Sequence, residues 1–392
     1  MGLGDRTLFP ALRPVAYLNH AGVSPPSSVV RDAVTGLLDA YAGSGAGGVA
    51  AAVALRARLR ERCARLLGVD ASEIALTGGA THGVQAIALS LPWRDGDRIV
   101  LLAGEFPANV TPWQRAADRF GLEIELVPVS VFEAGDDEGM AALEAALRRG
   151  ARLVATSAVQ FRSGLRMPLR AMADACARSG AELFVDAIQA LGVVPLDARA
   201  LGVDYLATGA HKWLMGLEGA GFLYVRADRR PALRPALAGW LSHEDAVSFL
   251  TDGPGHLRYD RPLRRDAAVF EGGSSAALSQ AALDASLGLL LDLGVAAIHE
   301  HVIRYLDRLE AALLARGFRS LRAPEPARRS GILSGLPPPG RSAPALRDAL
   351  ARAGVAVAIP DGAVRFAPHW PNDADRELPA VVAAIDAALA VR

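Results

Sequence analysis

The stretch "ATGAHKWLMG", residues 207–216, holds Lys212, the only lysine of a 392-residue chain in which Lys and Arg together number 42. Chance in an Arg-biased composition would explain one lone lysine, because a solvated cation can be Arg or Lys at little cost. The alternative is chemistry that admits no Arg. A guanidinium stays protonated at any ordinary pH, whereas an ε-amine can lose its proton and attack a carbonyl. A lysine that forms a Schiff base is the clearest such case, so the surroundings of Lys212 have to decide.

On both sides of this stretch, short apolar runs alternate with segments of helical period from about residue 73 to 225. "SEIALT", "DRIVLL", "LEIELVPV", "RLVATSAV", "AELFVD", "VDYLAT" and "GFLYV" read as strands. "HGVQAIALSL", "VTPWQRAADRF", "GMAALEAALRRG" and "RAMADACARSG" read as helices between them. Strand and helix in alternation predict an α/β fold, a mainly parallel sheet covered on both faces. Beyond about residue 255 the pattern changes. A long helical stretch (275–317) precedes "SGLPPPGRSAP", then a helix, a short strand pair around "VAVAIPDGAVRFAP" and a closing helix. The predicted partition is a large α/β domain over 18–250 and a smaller α+β domain over 251–392 that also takes residues 1–17.

The bulk properties narrow the function. The chain is 51% hydrophobic and 21% charged with a formal net charge of zero, a globular composition that advertises neither a nucleic-acid nor an anionic-membrane surface. The N-terminus lacks a continuous apolar run, and "LGLLLDLGVAAI" (287–298) is interrupted by Asp292 and too short to span a bilayer. A cytoplasmic protein is expected, in which the sequon "NVT" at 109–111 is idle. The two cysteines, Cys63 and Cys176, sit in helix-like segments and read as small buried residues.

Some motifs mislead. "GSGAGG" (43–48) matches a dinucleotide fingerprint formally, but an amphipathic helix, "VVRDAVTGLLDAYA", precedes it where a strand is required. It reads as a flexible connector, which argues against a NAD-dependent enzyme. "HEH" (299–301) lacks the i, i+4 spacing of a helical zinc pair and reads as a solvated helix face. No metal site is expected.

Upstream of Lys212, Asp186 ends the apolar run "AELFVD", where ligands sit in an open α/β sheet, and Gln189 follows. Such an Asp can be a helix cap; beside a Schiff-base lysine it can instead keep a pyridine nitrogen protonated. "IALTGGATHGVQAIALSL" (74–91) is strand, glycine-rich turn, Thr81 and helix, either an ordinary βα turn or an anion site. Phe106 in "GEFPANVTPW" is either a core aromatic or a flat face for a cofactor ring.

These residues resemble the class-V, fold-type-I enzymes that use pyridoxal phosphate (PLP), a group with cysteine desulfurases, selenocysteine lyases, kynureninase and isopenicillin N epimerase-like enzymes. The resemblance runs along the chain through "YLNHAGVSPP", "GGATHG", "EFPAN", "VDAIQALG", "GAHKWLMG", "FEGGS" and "VRFAPHWPN". It implies the PLP-transferase fold with a seven-stranded, mainly parallel sheet. It implies that Lys212 forms the Schiff base and shuttles the α-proton. Asp186 would pair with the pyridine nitrogen, Gln189 with the ring oxygen, and Phe106 would stack on the ring. Ala80, Thr81 and His211 would hold the phosphate, and Ser274 would reach the phosphate of a neighbouring subunit, hence a homodimer with shared sites. Arg365 would clamp the substrate carboxylate, and Asn19 and His20 would line the substrate pocket.

Departures from the pattern bear on the reaction. "GVAVAIPDGAVRF" (354–366) is short and holds no Cys where the desulfurases carry their nucleophile, so a persulfide-forming desulfurase is not expected. Gly209 and Ala210 stand where many relatives place Ser, with Thr208 one step earlier, and Gln160, Phe161, His369 and Trp370 take no assigned role. The reading is an aminotransferase or C–S lyase acting on an amino acid with a free α-carboxylate. The alternatives are an epimerase and a kynureninase-type C–C hydrolase. A pseudo-enzyme would have lost Lys212, Asp186 or Arg365, and all three are present.

Overall fold

A computed structural model describes residues 2–390. After a short strand β1 (Ala16–Tyr17), the seven apolar runs form β2 (Ile74–Thr77), β3 (Arg98–Ala103), β4 (Glu123–Pro128), β5 (Ala151–Ser157), β6 (Glu182–Asp186), β7 (Tyr205–Gly209) and β8 (Gly221–Val225). They make one sheet in the order β2-β8-β7-β6-β5-β3-β4, parallel except at β8. Strand alternation divides the core. Ile99, Leu101, Phe184 and Ala207 face one side, against Val84, Ile87 and Trp113 of the helices Ala80–Ser90 and Thr111–Phe120. Val100, Leu102, Val185 and Leu206 face the other, against Leu59, Leu143, Met172 and Leu287. Each fully buried side chain of this size contributes about 1.5–3 kcal/mol, so two covered faces carry the sheet. The edge strand β4 is half exposed, with Glu123 and Glu125 paired to Arg98 and Arg149.

In the C-terminal part, β9 (Arg319–Ser320), β10 (Leu333–Leu336) and β12 (Val364–Phe366) form a second sheet in the order β12-β10-β9, and β11 (Val355–Ala356) pairs in parallel with β1. The predicted single helical stretch is two helices, Ala277–Leu293 and Val295–Leu314, bent by 79° at Gly294. Gly294 adopts φ +79°, a left-handed conformation that ends the first helix cheaply only at glycine. Among the described residues no single helix is long and apolar enough to cross a membrane.

Two local readings change. The "GSGAGG" stretch is a tight junction between the helices Ser28–Ser44 and Gly48–Leu67, with a helix rather than a strand leading into it. The "HEH" histidines are half-buried rather than solvated. His299 Nδ1 lies 3.0 Å from Val193 O and His301 Nε2 lies 2.7 Å from Asn372 O, so each ring joins its helix to a neighbouring loop. Both cysteines are buried on helices, as read.

Candidate active site

The carboxyl ends of β6 and β7 are adjacent, and everything that surrounds Lys212 follows from that. Asp186 is the last residue of β6, buried, with Oδ1 accepting the Ile188 N–H (2.9 Å). Burial pushes its carboxyl up, while the Ile188 N–H and the Lys212 ammonium pull it back. β7 leads into a closed loop: Gly216 N–H donates to Ala210 O (2.9 Å) and Met215 N–H to Lys212 O (3.0 Å). Met215 takes φ +54°, an uncommon conformation for a side chain of this kind that costs on the order of 1–3 kcal/mol and persists only where the surroundings impose it. Lys212 rides on this loop. Burial lowers its ammonium to about 8, with Asp186 opposing the shift and Arg365 adding to it. Its Nζ lies 5.4 Å from the centre of the Phe106 ring.

The helix Ala80–Ser90 starts beside this loop. Gly79 before it takes φ +141°, which glycine alone tolerates, and no side chain caps the helix, so its first N–H groups stay open for an anion. Glycine is required for the approach as well: a Cβ on Gly83 would stand 2.6 Å from Ala207 Cβ, and one on Gly221 would stand 2.7 Å from Gly79 Cα. Ala80 is buried and Thr81 exposed at this start. His211 is half-buried, its imidazole lowered by burial and then by Lys212. A Cβ on Gly209 would stand 3.0 Å from Ile188 Cδ1 and 3.5 Å from the His211 ring. Thr208 Oγ1 is buried without a hydrogen-bond partner among the described residues.

On the other side stands Arg365, at the centre of β12 and almost fully buried. Its Nη1 donates to Phe161 O (2.9 Å), its Nε is buried with no partner among the described residues, and burial lowers the guanidinium to about 10. An unpaired buried cation is costly, so this one waits for an anion. Phe161 also packs edge-on against Phe106, with centroids 5.4 Å apart.

The expected residues thus divide. Lys212, Asp186, Phe106, His211 and Arg365 converge. Gln189 is nearby but already engaged, its Nε2 donating to Ala21 O (3.1 Å) and its Oε1 accepting from Trp213 Nε1 (2.8 Å), which leaves one N–H free. Asn19 has a buried Oδ1 without a partner among the described residues. His20 is turned toward Ser24, Nδ1 to Oγ 2.7 Å, rather than left unbonded in the pocket. Ser274 stands apart: exposed, it lines a cavity of about 420 Å³ with Tyr41, Arg56, Trp240 and Arg264, none of which surrounds Lys212. Reasoning from the sequence missed Glu105. Its buried carboxylate accepts from Ser157 N (2.6 Å), the Ser157 hydroxyl and Gln160 Nε2 (3.0 Å), which anchors the segment bearing Phe106 and engages the unassigned Gln160. A charged residue directly before the aromatic in "EFPAN" was the available clue.

The model of aminotransferase class-V matches residues 16–362. The chain belongs to the class-V aminotransferase family. It is 30% identical over 304 residues to the uncharacterized aminotransferase YcbU of Bacillus subtilis (strain 168), covering 76% of this chain and 75% of that protein. To isopenicillin N epimerase of Streptomyces clavuligerus it is 29% identical over 305 residues (76% and 74%). Among solved structures it is similar to C-DES, as a variant with glycine covalently linked to the PLP cofactor (TM-score 0.88, 25% identity, 97% and 99% covered). The cystine C–S lyase C-DES with its product cysteine persulfide superposes with a TM-score of 0.86 at 25% identity (96% and 99%). Membership makes the chain a PLP-dependent enzyme of fold type I. The residues fit that group: a buried amine of lowered basicity, a buried carboxylate beside it, an aromatic face and an uncapped helix start.

Proposed function

We propose that this chain removes the α-proton of an amino acid with a free α-carboxylate and completes a C–S lyase reaction. The observation that carries the proposal is Lys212, lowered to about 8 between buried Asp186 and the unpaired Nε edge of Arg365. The bound cofactor supplies an electron-withdrawing ring conjugated to the substrate amine. The rest is done by side chains. Arg365 takes the carboxylate through Nε and its free Nη2, a two-point grip that orients the Cα–H bond. Lys212, a neutral amine for an appreciable fraction of the time at pH 7, accepts that proton. Burial raises the Asp186 carboxyl, with the Ile188 N–H and Lys212 opposing that shift, and a cationic ring nitrogen beside it would favour the carboxylate that keeps that nitrogen protonated. Phe106 would cover one ring face and shed water from it, and the N–H groups at Ala80 and Thr81 with His211 would hold the phosphate.

Elimination is favoured over thiol attack because no protein sulfur can serve. Burial pushes the Cys63 thiol far up and Cys176 to about 12, and neither flanks Lys212. The Cβ–S bond then breaks with its electron pair leaving on sulfur, and no enzyme-bound persulfide forms. The likeness to the cystine C–S lyase C-DES over nearly the whole chain supports this reading. Transamination is the second reading, favoured by the aminotransferase name of the Bacillus relative. The active form is read as a homodimer in which Ser274 serves the neighbour's site. Its support is the exposed apolar side chains that line the same cavity as Ser274, namely Val49, Val53, Trp240 and Val247.

The test is the visible spectrum of the cofactor-loaded protein before and after adding cystine and a panel of other amino acids. A yellow band that recovers unaided as pyruvate and ammonia accumulate supports the lyase. Bleaching that persists until a keto acid is added replaces it with transamination. A protein that never turns yellow ends the whole reading.

A further inference from the structure

Three consecutive carbonyls of the lysine loop are held from outside the loop. Ser24 N–H donates to His211 O (2.7 Å), the Ser24 hydroxyl donates to Lys212 O (2.6 Å), and His369 Nε2 lies 2.8 Å from Trp213 O. Counting protons assigns both imidazoles. Ser24 has one hydroxyl proton, and the Lys212 carbonyl can only accept it, so His20 Nδ1, 2.7 Å from the same oxygen, is the donor. At His369 the Trp370 N–H donates to Nδ1 (2.7 Å), so the ring proton sits on Nε2 and points at Trp213 O. The two rings, 5.3 Å apart and edge-on, are buried in opposite tautomers. Burial keeps both neutral, His369 down at about 4 and His20 well below its ordinary range.

Both holding segments also hold the strand of the carboxylate fork. His20 N–H donates to Ala367 O (3.0 Å) and Ala367 N–H to Leu18 O (2.8 Å). Arg365 stands two residues before Ala367 and His369 two residues after it. Asn372 Nδ2 closes the unit on Tyr17 O (3.1 Å). Buried carbonyls need partners in any fold. Here, however, the partners of three successive carbonyls around the only lysine come from the two segments that frame Arg365, and the loop itself carries the strained Met215.

We propose that Ser24 and His369 are positioning residues that lock the lysine loop to the Arg365 strand, so that the Lys212 amine and the carboxylate fork keep a fixed separation while the α-proton moves. The proposal deepens the function above and rests on it. His20 acts through Ser24, by donating to its oxygen and leaving the hydroxyl proton to Lys212 O.

The test compares cofactor-loaded wild type, Ser24→Ala and Ser24→Thr, with α-hydrogen exchange of the substrate into deuterated water followed by NMR. Ser24→Ala is expected to load cofactor and to keep KM within about twofold, but to exchange the α-hydrogen about tenfold more slowly or worse, because sub-ångström misplacement of a reacting group is felt in the rate. Ser24→Thr keeps the hydroxyl and is expected to restore most of that rate. Wild-type exchange per loaded site in Ser24→Ala would overturn the proposal. If Ser24→Ala does not fold or load, the pair His369→Gln and His369→Leu decides. Glutamine can still donate to Trp213 O, so it should exchange several-fold faster than leucine, and equal rates would overturn the proposal. Absence of exchange in the wild type with every amino acid overturns the functional reading itself, which separates the two failures.

Discussion

From Ala210 to Trp213 each loop carbonyl has a donor within the chain, whereas between Leu237 and Tyr259 the side chains of Trp240, Leu250, Leu257 and Tyr259 stand in solvent. The first region is closed and self-sufficient: its strain at Met215 is imposed by neighbours and its partners are buried. The second has apolar surface without a cover. On the proposed reading, the proton-transfer residues are assembled inside one chain, and a second copy would cover the open region.

Damage to the closed region should therefore cost most. Lys212→Arg keeps the charge but removes the only side chain there that can both bond a carbonyl and carry a proton. The yellow band should vanish and turnover should fall at least ~1000-fold, read by absorbance and steady-state kinetics. Residual turnover near wild type would mean that another base acts. Next comes the fork. Arg365→Lys retains a cation yet cannot bond Phe161 O and a carboxylate through separate edges at once. KM should rise about 10- to 100-fold, the magnitude of one lost charge-assisted hydrogen bond, and kcat should fall with it because the grip also orients the Cα–H bond. A fall in kcat alone would place Arg365 away from the substrate carboxylate.

The open region yields a smaller effect of a different kind. Leu250, two-thirds exposed, lies beyond any contact with Lys212, so Leu250→Asp should leave chemistry per assembled site intact. If a second copy covers this surface, the variant should lose about tenfold in specific activity on dilution and recover it when concentrated, as expected for one interface anchor. Light scattering on the same dilution series gives the mass. A monomer mass with full activity in the wild type at every concentration would reject the shared site.

What the sequence made legible follows the same division. The strands were readable because buried parallel strands are continuous apolar runs, and all seven lie where they were read. Lys212 was readable because its composition is singular, and Asp186 because it ends such a run. Ser24 and Glu105 were not, since their importance lies in hydrogen bonds to residues 188 and 52 positions away, which no local period encodes. The histidines at 299 and 301 were read as solvated because their spacing excludes a metal pair, but burial against loops from elsewhere in the chain leaves no trace in spacing. The break at Gly294 was overlooked because glycine within an apolar helical pattern is ambiguous until its φ is known.

The closed region can be sharpened further by titration. Burial disfavours the ammonium of Lys212 and lowers it from 10.5 to about 8, Asp186 works against this and Arg365 with it. Only the neutral amine captures the cofactor aldehyde, so capture by the cofactor-free protein should accelerate as pH rises. For a midpoint of 8 the neutral fraction goes from about one tenth at pH 7 to one half at pH 8, so the rate should rise about fivefold and then level off. An unperturbed lysine would instead gain about tenfold per unit, with no plateau until pH 10. The neighbours supply the sign test. Arg365→Leu removes a like charge and should move the midpoint up, slowing capture at pH 7. Asp186→Asn removes the charge that favours the ammonium and should move it down, so this variant captures cofactor faster at pH 7 although its turnover is lost. Midpoints unchanged in both variants would show that burial alone governs Lys212 and that the charges flanking it are too well screened to matter.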